Sequence, residues 1–360
     1  TDQLGLIAST LFVSYGLGQL FSGWLGDRLN PKALIAAGML GSAGSNLLMG
    51  LAGSVGLMQA AWCLNGLFCA LIWAPMIRLM TLCMPPERLR KAILSFHYAT
   101  SLGTTGTYLL IPLLVTHFPW RVSFLVPAPL TLLTIAAGAT TRGCYQTPEK
   151  VETKNTVKAT ESFRALYLVS GLPLLLAIIL FMGLLKDGIM TWVPQEMTDT
   201  FQIDAALSIF LTAILPLVNL AGLWLIQKLS KRPGSDDVRT SFLLFGAAGA
   251  GMLLLVAVGR LHPLLTVLLF SAVSLCVSGI NTVLISLVPL QFAKAGRSST
   301  VAGLTNAFTY LGSALSGWGL GLAAGQWGWN AVNWLLFGLC AAGMGLCLAV
   351  RPLWRRFLGL

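Results

Sequence analysis

The sequence predicts an all-α polytopic membrane protein, on three observations. Of 360 residues, 56% are hydrophobic and only 10% are charged, against about 25% charged in soluble domains. Apolar stretches of roughly 20 residues, long enough to cross a hydrocarbon layer as helix, recur along the chain. The breaks between them alternate between strongly basic and almost uncharged. A mean hydropathy of +0.79 leaves too little polar surface to cover a soluble globule. That excludes a soluble enzyme, a disordered regulator and a nucleic-acid-binding domain. The 38 glycines agree, since Gly is commoner in membrane helices than in soluble ones.

The elements follow in chain order. Apolar segments 4–24 and 33–52 are separated by Arg28 and Lys32. Segment 57–82 is closed by Arg88, Arg90 and Lys91, after which come 92–116 and 121–141. A polar stretch, 142–164, then carries Arg142, Lys150, Lys154, Lys158 and Arg164. Segments 167–192 and 205–227 end at Lys228, Lys231, Arg232 and Arg239. Segments 240–259 and 263–289 lead to Lys294 and Arg297. Segments 299–323 and 330–350 complete eleven predicted helices, before Arg351, Arg355 and Arg356. The opposite set of loops holds only Arg121 and Arg260, and Arg78 and Lys186 lie inside apolar segments.

The net charge of +11 is therefore a topology signal before it is anything else. By the positive-inside rule the basic loops are cytoplasmic, which predicts a cytoplasmic C-terminus and a multi-pass protein of the cell (inner) membrane. Its expected partners are the lipid bilayer and a small solute, not nucleic acid, and a monomer is expected. Seven scattered cysteines form no CxxC pair and read as small apolar packing residues. No metal or other cofactor is expected, and no Walker or Ser-His-Asp pattern suggests an enzyme. Gly319, Gly321 and Gly325 form a close-packing helix face, not a nucleotide loop.

The two halves are related in pattern. Gly103 precedes Trp120 by 17 residues, and Gly312 precedes Trp329 by the same 17. The expected organisation is an N-terminal bundle (1–141), a central cytoplasmic linker (142–164), a C-terminal bundle (165–350) and a tail (351–360). Parallel six-helix repeats build one class of secondary transporter. On that pattern the first half starts at its second helix, and the sequence is expected to lack the first.

Gly23-Trp24-Leu25-Gly26-Asp27-Arg28-Leu29-Asn30-Pro31-Lys32 resembles the G-x-x-x-D-R-x-x-x-[RK] loop between helices two and three of the major facilitator superfamily. Asn65-Gly66, the run Trp73-Ala74-Pro75-Met76-Ile77-Arg78 and Glu87-Arg88 resemble the organophosphate:phosphate antiporters within it. So do Tyr15-Gly16, Leu185-Lys186-Asp187-Gly188-Ile189-Met190-Thr191-Trp192, and Thr300 to Gly312 with Trp327-Gly328-Trp329. The resemblance covers nearly the whole chain. It implies the major facilitator fold of two six-helix bundles and transport of glycerol phosphate or hexose phosphate. It also implies a phosphate site of two basic residues, one from helix one and one from helix seven. The helix-seven position is Lys186, a point charge where Arg would be a bidentate fork. The family's helix-five His falls on Thr100, its helix-two Lys on Gln19, and an acidic helix-seven residue on Thr191.

Lys186 reads either as a cavity cation for an anionic substrate or as a snorkelling Lys near a helix end. Adjacent helical residues point about 100° apart, so Lys186 and Asp187 need not pair. Arg78 reads as a cavity cation or a structural tie. His97 reads as an anion or proton ligand, or as a packed core residue. Tyr15, Trp73 and Tyr310 fall on family aromatics that line the cavity, and packing is the alternative. With Gln19 and Thr100 these complete the candidate substrate-binding set. Asp27, Arg28 and Lys32 are candidate gating residues, since Asp27 can pair with a base or cap a neighbouring helix and the cations can hold the loop at an anionic surface; a plain topology anchor is the alternative.

Apart from Asp187, no acidic residue lies mid-helix. That suits exchange of one anion for another by alternating access better than a proton relay of buried carboxylates. Two other functions stay open: proton-coupled transport of another small metabolite, and a membrane sensor of the same fold that binds without transporting.

Overall fold

A computed structural model describes residues 2–140, 167–212, 214–215, 217–219, 221–222 and 236–359. The predicted linker 142–164 and the end of segment 205–227 lie outside these residues. Among the described residues every regular element is helical.

Helix α1 (Asp2–Gly26) leads through a turn to α2 (Pro31–Leu51). Asn30 starts α2: its side-chain oxygen accepts the Lys32 N–H at 2.9 Å, and Pro31 follows in the first helical position, where its missing N–H costs nothing. Ser54 caps α3 (Val55–Cys83) in the same way, accepting from Leu57 N–H. Helix α4 (Pro86–His117) starts six residues before its predicted apolar segment. Helices α5 (Val122–Leu125) and α6 (Pro127–Thr140) fill the fifth segment.

Helix α7 (Leu172–Phe201) runs nine residues past its predicted end, straight through Pro194. It starts after Gly171 at φ 69° and stops at Gln202 at φ 53°. Helix α8 (Ala205–Thr212) opens the next span. Asp236 caps α9 (Asp237–Val258) by accepting the Val238 N–H at 2.9 Å. Helix α10 (Pro263–Thr282) continues through a five-residue π-helical turn, Val283–Leu287, into α11 (Val288–Gln291). The last element, α12 (Ser298–Leu358), is broken at Gly328, where φ is 76° and ψ 170°. The break divides it into the two predicted final spans, so among the described residues each of the eleven expected segments is helical.

The described residues form two compact units. Unit 1 holds α1–α6 together with Pro289–Ala307, which takes in most of α11 and the start of α12; unit 2 holds α7–α10 and α12 from Phe308 onward. Small residues set the packing in unit 1. A Cβ at Gly66 would stand 2.7 Å from the Leu11 carbonyl oxygen and 3.1 Å from Tyr15 N, so only Gly lets α1 and α3 approach this closely. Its neighbour Asn65 accepts the Ser42 hydroxyl at 2.7 Å and ties α3 to α2. Ala74, Ile77, Leu89, Ile93 and Ala302 form a buried cluster joining α3, α4 and the start of α12. In unit 2, α7 is the central helix, buried along most of its length from Leu172 to Met197. Large apolar side chains such as Phe21, Leu133, Phe210 and Trp318 lie exposed, a surface that a bilayer covers and water would not.

Candidate functional site

The first candidate centre lies in unit 2, midway along α7. Lys186 Nζ is 3.4 Å from Asp187 Oδ1. The Ser313 hydroxyl of α12 contacts Asp187 Oδ2 and also donates to the Thr309 carbonyl at 2.9 Å. A charge in an apolar helix is costly unless paired or watered. Here the flexible lysine stem swings back to its neighbour, so the two do pair despite their 100° offset. The pair leaves each side chain about a third exposed, 35% and 31%, so the ammonium is still open to an incoming anion.

The second centre lies in unit 1, where α1 ends. Both carboxylate oxygens of Asp27 accept backbone N–H groups at the start of α12: Ser299 at 3.0 Å and Thr300 at 2.8 Å. Arg78 Nε of α3 stands 3.9 Å from the same carboxylate. Asp27 therefore caps a helix 270 residues away, where unpaired N–H groups and the helix dipole favour a negative charge. Burial pushes its carboxyl above the usual range, and the hydrogen bonds from Thr300 and Ser299 and the charge of Arg78 oppose that push. Close backbone contact holds the geometry: a Cβ on Gly23 would lie 2.8 Å from the Ser299 carbonyl and 3.0 Å from Gly303 Cα. Arg78 thus takes the structural-tie position, beside Asp27. Arg28 turns the other way and stacks over the Trp24 ring at 4.0 Å. The Lys32 backbone N–H is engaged in the α2 cap.

The other candidates divide between the units. On α1, Tyr15 Oη accepts from Asn306 Nδ2 at 3.3 Å. One turn on, Gln19 is fully buried and neither of its amide atoms has a hydrogen-bond partner among the described residues. Trp73 packs its ring on Phe96 and His97, each at 5.6 Å between centroids. Thr100, one turn beyond His97, is exposed and its hydroxyl donates to the Phe96 carbonyl at 3.0 Å. Tyr310 belongs to unit 2 and is half-buried. Among the described residues no cluster of three His, Cys, Asp or Glu is placed to hold a metal.

Sequence reading singled out none of three residues. Ser313 and Asn306 carry no charge, although Asn306 lies in the Thr300 to Gly312 run, and their partners lie 126 and 291 residues away. Glu196 is the third; the predicted segment 167–192 left it outside the helix. It lies in α7, is 6% exposed and accepts from Asn333 Nδ2 at 2.6 Å. The helix runs through Pro194 to Phe201, nine residues past the predicted segment, and so takes in Glu196.

Residues 1–317 match the family model described as Major Facilitator Superfamily. The chain belongs to this superfamily. Among curated proteins, this superfamily member is 25% identical to the "Probable hexose phosphate transport protein" of Chlamydia pneumoniae, over 98% of this chain and 83% of that one. It is 23% identical to the "Phosphoglycerate transporter protein" of Salmonella typhimurium, over 93% and 78% of the two chains. Among solved structures, the proton:xylose symporter XylE superposes with a TM-score of 0.67 at 14% identity, covering 95% of this chain and 84% of that one. That likeness concerns the fold. The superfamily chain is thus a multi-pass membrane protein of transporter type, related to carriers of phosphorylated solutes.

Proposed function

We propose that the chain is a secondary active transporter that exchanges a small organic phosphate, such as a sugar or glycerol phosphate, for inorganic phosphate by alternating access. The observation that carries this reading is Lys186. It is a cation within a membrane helix, paired among the described residues with its own neighbour and still about a third exposed. An anionic substrate can displace Asp187 from the ammonium, and Lys suits a phosphate as a point charge. The names of the related carriers support the same substrate class. Tyr15, Gln19, Trp73, Arg78, His97, Thr100 and Tyr310 complete the proposed substrate-binding set, with Arg78 acting mainly through Asp27.

Asp27 serves as the gating group in this reading. Its capping of α12 is a contact that can be broken and remade, while Arg28 and Lys32 anchor the loop at the anionic inner leaflet. The protein works as a monomer in the cell (inner) membrane with its C-terminus in the cytoplasm.

Purified protein in liposomes loaded with radiolabelled phosphate tests the proposal. External glucose 6-phosphate or glycerol 3-phosphate is expected to drive phosphate efflux, and Lys186→Ala to abolish it. Efflux driven by neither, or undiminished in Lys186→Ala, sinks the assignment.

A further inference from the structure

Within unit 2, α7 and α12 touch closely on either side of Asp187. A Cβ at Gly183 would lie 3.0 Å from Thr309 Cα, and one at Gly312 would lie 2.9 Å from Leu184 N, so here the two backbones meet directly. Further along, Trp192 Nε1 donates to the Ser316 carbonyl at 3.1 Å. Ser313 lies between these contacts, half-buried on α12, and its hydroxyl meets Asp187 Oδ2. The ties on both sides keep that hydroxyl within reach of the carboxylate.

Ser313 has one proton and two acceptors for it. A hydroxyl donates once, and both the Thr309 carbonyl, at 2.9 Å, and Asp187 Oδ2 are in range. Which of them holds the proton depends on the charge left on the carboxylate. While Lys186 Nζ stands 3.4 Å from Asp187 Oδ1, the ammonium shares that charge. The carbonyl one turn back then competes for the proton, as it commonly does for a helical serine. Once an anion draws the ammonium away, the carboxylate is left bare. A hydrogen bond to an ionised acceptor is roughly twice as strong as one between neutral groups, so the proton turns fully to Asp187.

We propose that Ser313 is a positioning residue of the anion site: its hydroxyl takes over Asp187 when a substrate anion takes Lys186. The proton stays on the Ser313 oxygen throughout, and only its direction changes. Asp187 is thereby held against α12, and the ammonium is released to the anion at a lower cost than if its counter-charge were left without a donor. The inference rests on the reading of Lys186 as the anion ligand.

The test is phosphate exchange by the full chain in liposomes, titrated with external glucose 6-phosphate. Ser313→Ala should raise the half-saturating concentration by about three- to tenfold, with a smaller effect on the maximal rate. In the Asp187→Asn background no carboxylate has to be taken over, so there the same substitution should shift it by less than about twofold. A merely structural Ser313 would instead lower the rate and the Tm alike in both backgrounds. An unchanged half-saturating concentration in Ser313→Ala, or an equal rise in both backgrounds, overturns the proposal, while exchange that Lys186→Ala abolishes leaves the phosphate reading standing. Wild-type protein that exchanges no phosphate overturns that reading and this inference with it.

Discussion

Lys186 Nζ lies 3.4 Å from Asp187 Oδ1, so the charge offered to an anion is already shared with a neighbouring carboxylate. The pair is about a third exposed, and ion pairs so placed contribute about 0.2–1 kcal/mol. Asp187→Asn should therefore strengthen binding of an anionic substrate by up to about fivefold, measured as a lower half-saturating concentration in liposome exchange. Lys186→Arg should retain exchange, and Lys186→Ala should lose it.

The Asp27 cap should be a stability element as well as a gate. Asp27→Ala leaves the Ser299 and Thr300 N–H groups without their acceptor and removes the partner of Arg78. Losing such a cap costs about 0.5–2 kcal/mol, and more if the N–H groups stay dry. A lowered Tm in detergent is expected for Asp27→Ala. Asp27→Asn, which keeps one acceptor oxygen, should be lowered less.

Substituting Gly303 tests the close approach of α1 and α12. A Cβ there would lie 2.8 Å from Gly23 Cα and 3.0 Å from Gly23 N, and backbone cannot swing aside as a side chain can. Gly303→Ala should destabilise by about 1–3 kcal/mol, the usual cost of overpacking, seen as lower Tm and reduced yield of folded protein. Gly317, whose Cβ would meet nothing within 4 Å, is the matched control and should tolerate Ala.

Asn65 should be a structural tie and not a ligand. Asn65→Leu removes its 2.7 Å bond with Ser42. Interhelical bonds of this kind in membrane proteins average about 0.6 kcal/mol. A small loss of Tm with exchange activity retained is the expected result; abolished exchange in a folded variant would place Asn65 in the transport machinery instead.

Much of the fold could be read directly from residue order. Burial in lipid requires long apolar helices, so their existence follows from hydropathy alone, and the gap between segments 299–323 and 330–350 contains the Gly328 break. Helix ends were harder. Glu87 to Lys91 looked like loop, yet charged residues can form helical turns at the membrane surface where water satisfies them; segment 167–192 ended on its last apolar run, yet α7 carries on to Phe201.

By itself the sequence determined the class and the helical segments, and it singled out Lys186 as a conspicuous cation within a helix. Each is a property of single residues or of local periodicity. Tertiary structure alone decided the partners: that Asp27 caps Ser299 and Thr300, that Asp187 meets Ser313, and that Glu196 is buried against Asn333. Those pairings join residues more than a hundred positions apart. The energy of a buried polar group depends on what stands within about 3 Å of it, and no local pattern carries that information. Within the basic charge that reads first as topology, the structure thus singles out Arg78 and Lys186, each inside a helix and each beside a carboxylate.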